Sequence, residues 1–203
     1  MTNTSTYSLL SDIDIMNRVR TSGMIEPCLD YYDKAKNPRS GELSAGLTSF
    51  GYDLRLSDKD FWIFRGPPCG LIDPKSFDKS VMQRVALHTD DTGSFFLLPA
   101  HSYGLGVAVE RLVMPADVMG VCLGKSTYAR CGIIANVTPA EPGWEGHLTL
   151  EFSNSSDLPC KLYANEGVVQ MLFFQGNTCD ITYKDRKGKY QNQDEEVVLP
   201  KVK

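Results

Sequence analysis

Two short segments carry the residue types that proton transfer beside a bound anion requires. Gly124-Lys125-Ser126-Thr127-Tyr128-Ala129-Arg130 offers two cations, hydroxyls and a run of backbone donors. If Ser126 through Arg130 form a helical turn, Ser126 and Arg130 share one face, because positions i and i+4 are neighbours on a helix. Free N–H groups at the start of the turn add partial positive charge. A phosphate fits there through backbone donors, the serine hydroxyl and the arginine fork. In the second segment, Leu148, Leu150 and Phe152 alternate with His147, Thr149, Glu151 and Ser153, the period-two pattern of a half-buried strand. Glu151 then shares a face with Thr149 and His147, as a single acid suited to proton transfer. Together the segments suggest an enzyme that holds a nucleotide and works on its base.

Each segment also has a plainer reading. The first also reads as a capped surface turn, and a strand glutamate is most often a solvated face residue. The letters Gly-Lys-Ser do not make a P-loop, because Gly120 stands one residue too close to Gly124. Gln170, alone in the apolar run Val168–Phe174, is expected to be buried and to need partners from backbone or from a ligand. The zinc nucleobase deaminase pattern is missing: His88, His101 and His147 have no glutamate two residues on, and no C-x-x-C exists. No metal-ligand cluster is expected, and no G-x-S-x-G nucleophile elbow is present.

These residues need a rigid frame, and the sequence predicts an all-β one. A helix is expected over 8–22, with Ser11 as cap, Leu10, Ile13, Met16 and Val19 as its apolar stripe, and Gly23 as its stop. Residues 28–46 read as a polar loop. From about residue 47, short apolar runs follow at Tyr52–Leu56, Phe61–Arg65, Phe95–Leu98, Tyr103–Val109, Val118–Leu123, Gly132–Val137, His147–Phe152 and Val168–Phe174. The run Phe61–Arg65 ends at the turn Gly66-Pro67-Pro68, and Gly, Pro, Asn or Asp punctuates most other gaps. Residues 176–203 are polar and read as a mobile tail or lid.

The chain has 203 residues, enough for a single domain with its own core. A net charge of −4 argues against a protein that coats nucleic acid. The six cysteines read as reduced, small apolar residues. The polar N-terminus lacks a signal-peptide pattern, and no run approaches the ~18 apolar residues of a membrane span. The expectation is a soluble cytoplasmic protein without a membrane partner.

Several ordered motifs resemble the dCTP deaminases of the trimeric dUTPase-like superfamily. Lys125-Ser126-Thr127-Tyr128-Ala129-Arg130-Cys131-Gly132 resembles the central signature. Pro142-Gly143-Trp144-Glu145-Gly146 and Thr149-Leu150-Glu151-Phe152-Ser153-Asn154 follow at family spacing. Gly46 to Arg55, Asn165 to Gln170 and Gly188 to Gln193 resemble further blocks, so the likeness runs from roughly residue 9 to residue 200.

The resemblance implies a distorted jelly roll, a β-clip barrel of dUTPase type with a short N-terminal helix, assembled as a homotrimer with shared active sites. It implies hydrolysis of dCTP to dUTP and ammonia without zinc, Mg²⁺ accompanying the triphosphate, with dUTP passing toward dUMP and dTTP synthesis. By position, Glu151 is the general acid/base, and Ser126 and Arg130 orient the water and stabilise the tetrahedral centre. Lys125 and backbone groups through Thr127, Tyr128, Ala129 and Arg130 contact the phosphates. Thr138 and Glu141 lie in the loop that reads the base, Thr149 and Leu150 flank the nucleotide through their backbone, and Gln170, Tyr183, Lys189 and Gln193 reach the triphosphate. The last three lie in the tail, which is therefore expected to close over the nucleotide.

Glu141 stands where dUTPases carry the aspartate that activates water for diphosphate release. Besides a monofunctional deaminase, two further readings therefore stand: a bifunctional deaminase and diphosphatase giving dUMP, and a catalytically silent nucleotide-binding trimer.

Overall fold

Ser11 and Gly23 set the limits of the N-terminal helix in the computed structural model, which describes residues 7–30, 41–65, 70–136 and 138–201. The Ser11 hydroxyl accepts from the Asp14 N–H while the Asp14 carboxylate accepts from the Ser11 N–H, a reciprocal capping box. Gly23 closes the helix at φ 64°, its N–H donating to the Val19 carbonyl. This helix, α1 (Asp12–Ser22), is shorter than the expected 8–22. The Leu10 N–H donates to the Phe173 carbonyl and keeps the chain before it extended, so Ser8–Leu9 form strand β1 instead. Met16 and Val19 pack on the core as expected, but Ile15 is the buried isoleucine and Ile13 is 70% exposed.

The remainder is β, as expected. After β1 come β2 (Ile25–Glu26), β3 (Gly46–Thr48), β4 (Gly51–Arg55), β5 (Trp62–Phe64), β6 (Met82–Arg84) and β7 (His88–Asp90). Then follow β8 (Gly93–Leu98), β9 (Tyr103–Val113), β10 (Val118–Gly124), the short helix α2 (Ser126–Arg130) and β11 (Ile133–Ala135). β12 (Glu145–Asn154), β13 (Cys160–Tyr163) and β14 (Gly167–Gln175) complete the set. The ladders pair antiparallel. One sheet runs β1-β14-β4-β3 with β10 on the other edge of β14; a second runs β11-β12-β9-β5-β6; a third is β13-β8-β7.

Two expectations change. Tyr52–Leu56 does not alternate, because Gly51 through Leu54 are all buried between neighbours on both faces. β6, β7 and β13 lack an apolar run of their own and were not expected as strands. The turn Gly66-Pro67-Pro68 and residues 31–40 of the long loop lie outside the described residues.

The core centres on Phe61, whose ring stacks on Phe96 at 5.0 Å and Phe152 at 6.4 Å between centroids. A Cβ at Gly104 would meet the Phe61 ring at 2.7 Å, so any side chain at that position on β9 would displace the ring. Residues 176–201 are not loose in this structure. The Tyr183 N–H donates to the Pro142 carbonyl (2.9 Å), the Asn192 N–H to Glu145 (2.8 Å), and the His147 N–H to Gln193 (2.9 Å). Gly146 permits this approach: its φ is 138°, and a Cβ there would lie 2.5 Å from the Gln193 nitrogen.

Candidate active site

β12 carries out the alternation read from its sequence, with Leu148, Leu150 and Phe152 buried and Glu151 half-buried between them. The Glu151 side chain opens into a cavity of about 760 Å³. Leu148 and Thr149 line it with Glu151 from the same strand. The loop before β12 contributes Thr138, Pro139, Glu141, Pro142 and Trp144. The C-terminal segment adds Tyr183, Lys189, Tyr190, Gln193, Val198 and Pro200. Phe64, Tyr103, Leu105 and Met119 supply much of the apolar wall.

Burial raises the Glu151 carboxyl to about pKa 7, and its Oε2 is buried without a hydrogen-bond partner. An unpartnered, half-protonated carboxyl facing a cavity is suited to taking up and returning a proton near neutral pH. Tyr103 and Cys122 lie near enough to feel its charge. Their protons are held above the usual range by burial first and by Glu151 second, the Cys122 thiol up to about 12.

Thr149 ties strand to tail: its hydroxyl donates to Gln193 Oε1 at 3.0 Å and accepts from the Val198 N–H at 3.4 Å. The Tyr183 hydroxyl accepts from the Tyr190 N–H at 3.0 Å, and Lys189 Nζ donates to the Lys201 carbonyl at 2.7 Å. Glu141 is ion-paired with Arg186, joining the loop before β12 to the tail. A second cavity of about 440 Å³ shares Tyr183 and Lys189 with the first and is cationic, lined also by Lys75, Arg186 and Lys201.

Other expected residues lie elsewhere. Ser126, Thr127, Ala129 and Arg130 are exposed on α2, and none lines the cavity within this chain. Ser126 and Arg130 do share a face, as expected, with Arg130 Nη1 donating to the Ser126 carbonyl at 2.9 Å. Lys125 and Tyr128 point inward: Lys125 Nζ is ion-paired with Asp53, and the Tyr128 hydroxyl accepts from the Tyr163 N–H at 2.9 Å. Leu150 is a core residue beside Thr149. Gln170 is half-exposed rather than buried, because its side chain stands on the outward face of β14 opposite exposed Leu123. Sequence reasoning missed Tyr103, Met119, Arg186 and Val198. Tyr103 pairs with Ser153 across β9 and β12, two residues from Glu151 on the same face, a register no local pattern reveals.

Among the described residues, no group of three or more His, Cys, Asp or Glu could hold a metal ion. No helix among them is long and apolar enough to cross a membrane.

A family model described as dCTP deaminase-like matches residues 10–176. The chain is 47% identical over 196 residues to the dCTP deaminase of Neorickettsia sennetsu, covering 96% of this chain and 99% of that one. It is 50% identical over 181 residues to the dCTP deaminase of Acidobacterium capsulatum, covering 89% and 92%. The fold resembles the crystal structure of 2′-deoxycytidine 5′-triphosphate deaminase from Agrobacterium tumefaciens at TM-score 0.61 and 19% identity. That likeness covers 84% of this chain and 49% of the other, and it bears on the fold alone.

Proposed function

The chain belongs to the dCTP deaminase-like family, and we propose that it hydrolyses dCTP to dUTP and ammonia with Glu151 as the proton carrier. The observation that carries this is the Glu151 carboxyl: raised to about pKa 7, with one oxygen buried and unpartnered, inside a cavity of about 760 Å³. Ionised Glu151 takes a proton from water as the oxygen bonds to C4 of cytosine. The same carboxyl returns that proton to N3, then takes the proton of the new C4 hydroxyl and delivers it to the amine, leaving a carbonyl at C4. The C4–N bond breaks and ammonia leaves, so that one water is consumed and one ammonia formed. The apolar wall of Phe64, Tyr103 and Leu105 keeps other water away.

In this reading the triphosphate extends past Tyr183, Lys189 and Gln193 toward the adjoining cationic cavity, where Lys75, Arg186 and Lys201 offset its charge. Mg²⁺ would be held by phosphate oxygens, since the described residues form no carboxylate cluster for it. The tail is the wall that encloses the nucleotide. Because the Glu141 carboxylate is engaged by Arg186, the reading takes dUTP rather than dUMP as product.

Ser126 and Arg130 enter from a second subunit of a homotrimer. An apolar stripe supports this: Met119, Val121 and Leu123 on β10 stand opposite Phe174, Leu172 and Gln170 on β14, with Met119, Leu123 and Phe174 39%, 46% and 41% exposed. Met119 belongs both to that stripe and to the wall of the Glu151 cavity, so the cavity borders the surface a second copy would cover. Gln170, on the same stripe, is then placed to meet the phosphates at the boundary.

The test is ammonia release from dCTP by purified protein, with products separated by chromatography. Equal amounts of dUTP and ammonia are expected; no ammonia at all would sink the reading.

A further inference from the structure

The side chain of Lys125 is turned away from the surface that its neighbours present. Its Nζ is ion-paired with Asp53 and donates to Ser44 Oγ at 2.8 Å, while Ser44 Oγ donates to Asp53 Oδ2 at 3.2 Å. The three groups close a triangle. Lys125 and Asp53 keep only 10% and 5% of their side-chain surface in solvent. Asp53 belongs to β4 in the middle of its sheet, and Ser44 lies in the segment just before β3. The packing is tight there: a Cβ at Gly167 would meet the Ser44 carbonyl oxygen at 2.0 Å.

Lys125 is also the residue at the N-cap of α2, where no side chain caps the free N–H groups. Three residues on, Tyr128 is buried and its hydroxyl accepts the Tyr163 N–H. The inward positions 125 and 128 therefore hold the N-cap and the middle of a five-residue helix, and the outward positions present Ser126 and Arg130. So short a helix has little stability of its own, and its orientation comes from what anchors it.

We infer that Lys125 is a positioning residue: its buried contact with Asp53 and Ser44 sets the orientation in which α2 offers Ser126 and Arg130 to the reaction. In this structure its ammonium is held inside the fold by Asp53 and Ser44. The inference rests on the reading of Ser126 and Arg130 given under Proposed function. A side chain that binds phosphate equally in ground and transition states would act on KM. One that orients reacting groups acts on kcat, and a misplacement of about 1 Å can cost on the order of a hundredfold in rate.

The experiment is a double-mutant cycle on dCTP deamination with Lys125→Met, Asp53→Asn and the pair, plus the milder Ser44→Ala. Melting temperature and sedimentation are recorded for each variant. Lys125→Met and Asp53→Asn should each lower kcat by about ten- to a hundredfold with KM for dCTP changed less than about threefold. The double variant should lose no more than the worse single one, because both remove the same contact. Ser44→Ala should lower kcat several-fold and serves as the test if a charge variant fails to fold. A rise in KM of more than about tenfold for Lys125→Met, unmatched by Asp53→Asn, would make Lys125 a phosphate ligand and overturn the inference. Unchanged kcat in Asp53→Asn and Ser44→Ala would overturn it as well. If the wild-type protein releases no ammonia, the proposed function fails instead, a separate outcome read before any variant is compared.

Discussion

The Thr149 hydroxyl donates to Gln193 Oε1 at 3.0 Å, joining the strand that bears Glu151 to the C-terminal segment that closes the cavity. The same hydroxyl accepts the Val198 N–H at 3.4 Å, so one oxygen holds the tail at two points. Gln193 is held further by its carbonyl, which accepts the His147 N–H at 2.9 Å.

Thr149→Val keeps the shape of the side chain and removes both contacts. The lost bonds are worth about 1 kcal/mol each, and the Gln193 amide and the Val198 N–H must find other partners. KM for dCTP should rise several-fold with a smaller change in kcat, as the tail no longer rests in its closed position. Steady-state kinetics decide it, and an unchanged KM would remove the tail from substrate binding.

Glu151→Gln keeps the volume and abolishes proton uptake. Ammonia release should fall by about a thousandfold, within the range for losing a general acid/base, while dCTP still binds by calorimetry. In the wild-type protein, burial raises this carboxyl to about pKa 7 from 4.5. Only the ionised form can take a proton from water, so the acid limb of kcat/KM should inflect near 7. An inflection at the ordinary glutamate value would show that burial does not tune the group.

The same shift bears on stability, with a sign opposite to that of a salt-bridged carboxylate. Glu151 binds its proton more tightly folded than unfolded, so its favourable contribution is complete below about 4.5 and is lost as pH rises through about 7. Gln cannot ionise and escapes that loss. Glu151→Gln should match the wild-type melting temperature near pH 4 and exceed it near pH 8 by about 2–4 °C per kcal/mol relieved. Equal melting temperatures at both values would mean that the carboxylate is solvated in the folded state.

Much of this could be read before the structure, for reasons that differ by residue. Ser11 and Gly23 mark a helix because capping is a local interaction among adjacent residues. Glu151 stands out because a period-two strand fixes which face each residue takes. The fate of Lys125 was not legible, because its partner Asp53 lies 72 residues away and buried ion pairs leave no local pattern. The docking of residues 176–201 was hidden for a related reason. Its anchors are backbone hydrogen bonds and polar side chains, and a polar composition alone reads as loose chain. The expected meeting of Glu151 with Ser126 and Arg130 does not occur within one chain, and this bears directly on assembly.

If Glu151 of one subunit works with Arg130 of another, neither single variant is active but their mixture is. Glu151→Gln and Arg130→Ala proteins should each release almost no ammonia alone. Unfolded together in equal amounts and refolded, they form mixed trimers. A working site needs Glu151 from an Arg130→Ala chain and Arg130 from an adjoining Glu151→Gln chain. Random assortment in a cyclic assembly gives about a quarter of the sites that composition. About a quarter of wild-type activity should therefore return. Leu123→Glu, which places a charge in the apolar stripe opposite Gln170, should prevent the recovery by keeping chains apart, visible as a smaller sedimenting species. A mixture as inactive as its components, in trimers shown to be mixed, would mean that each site is built from one chain.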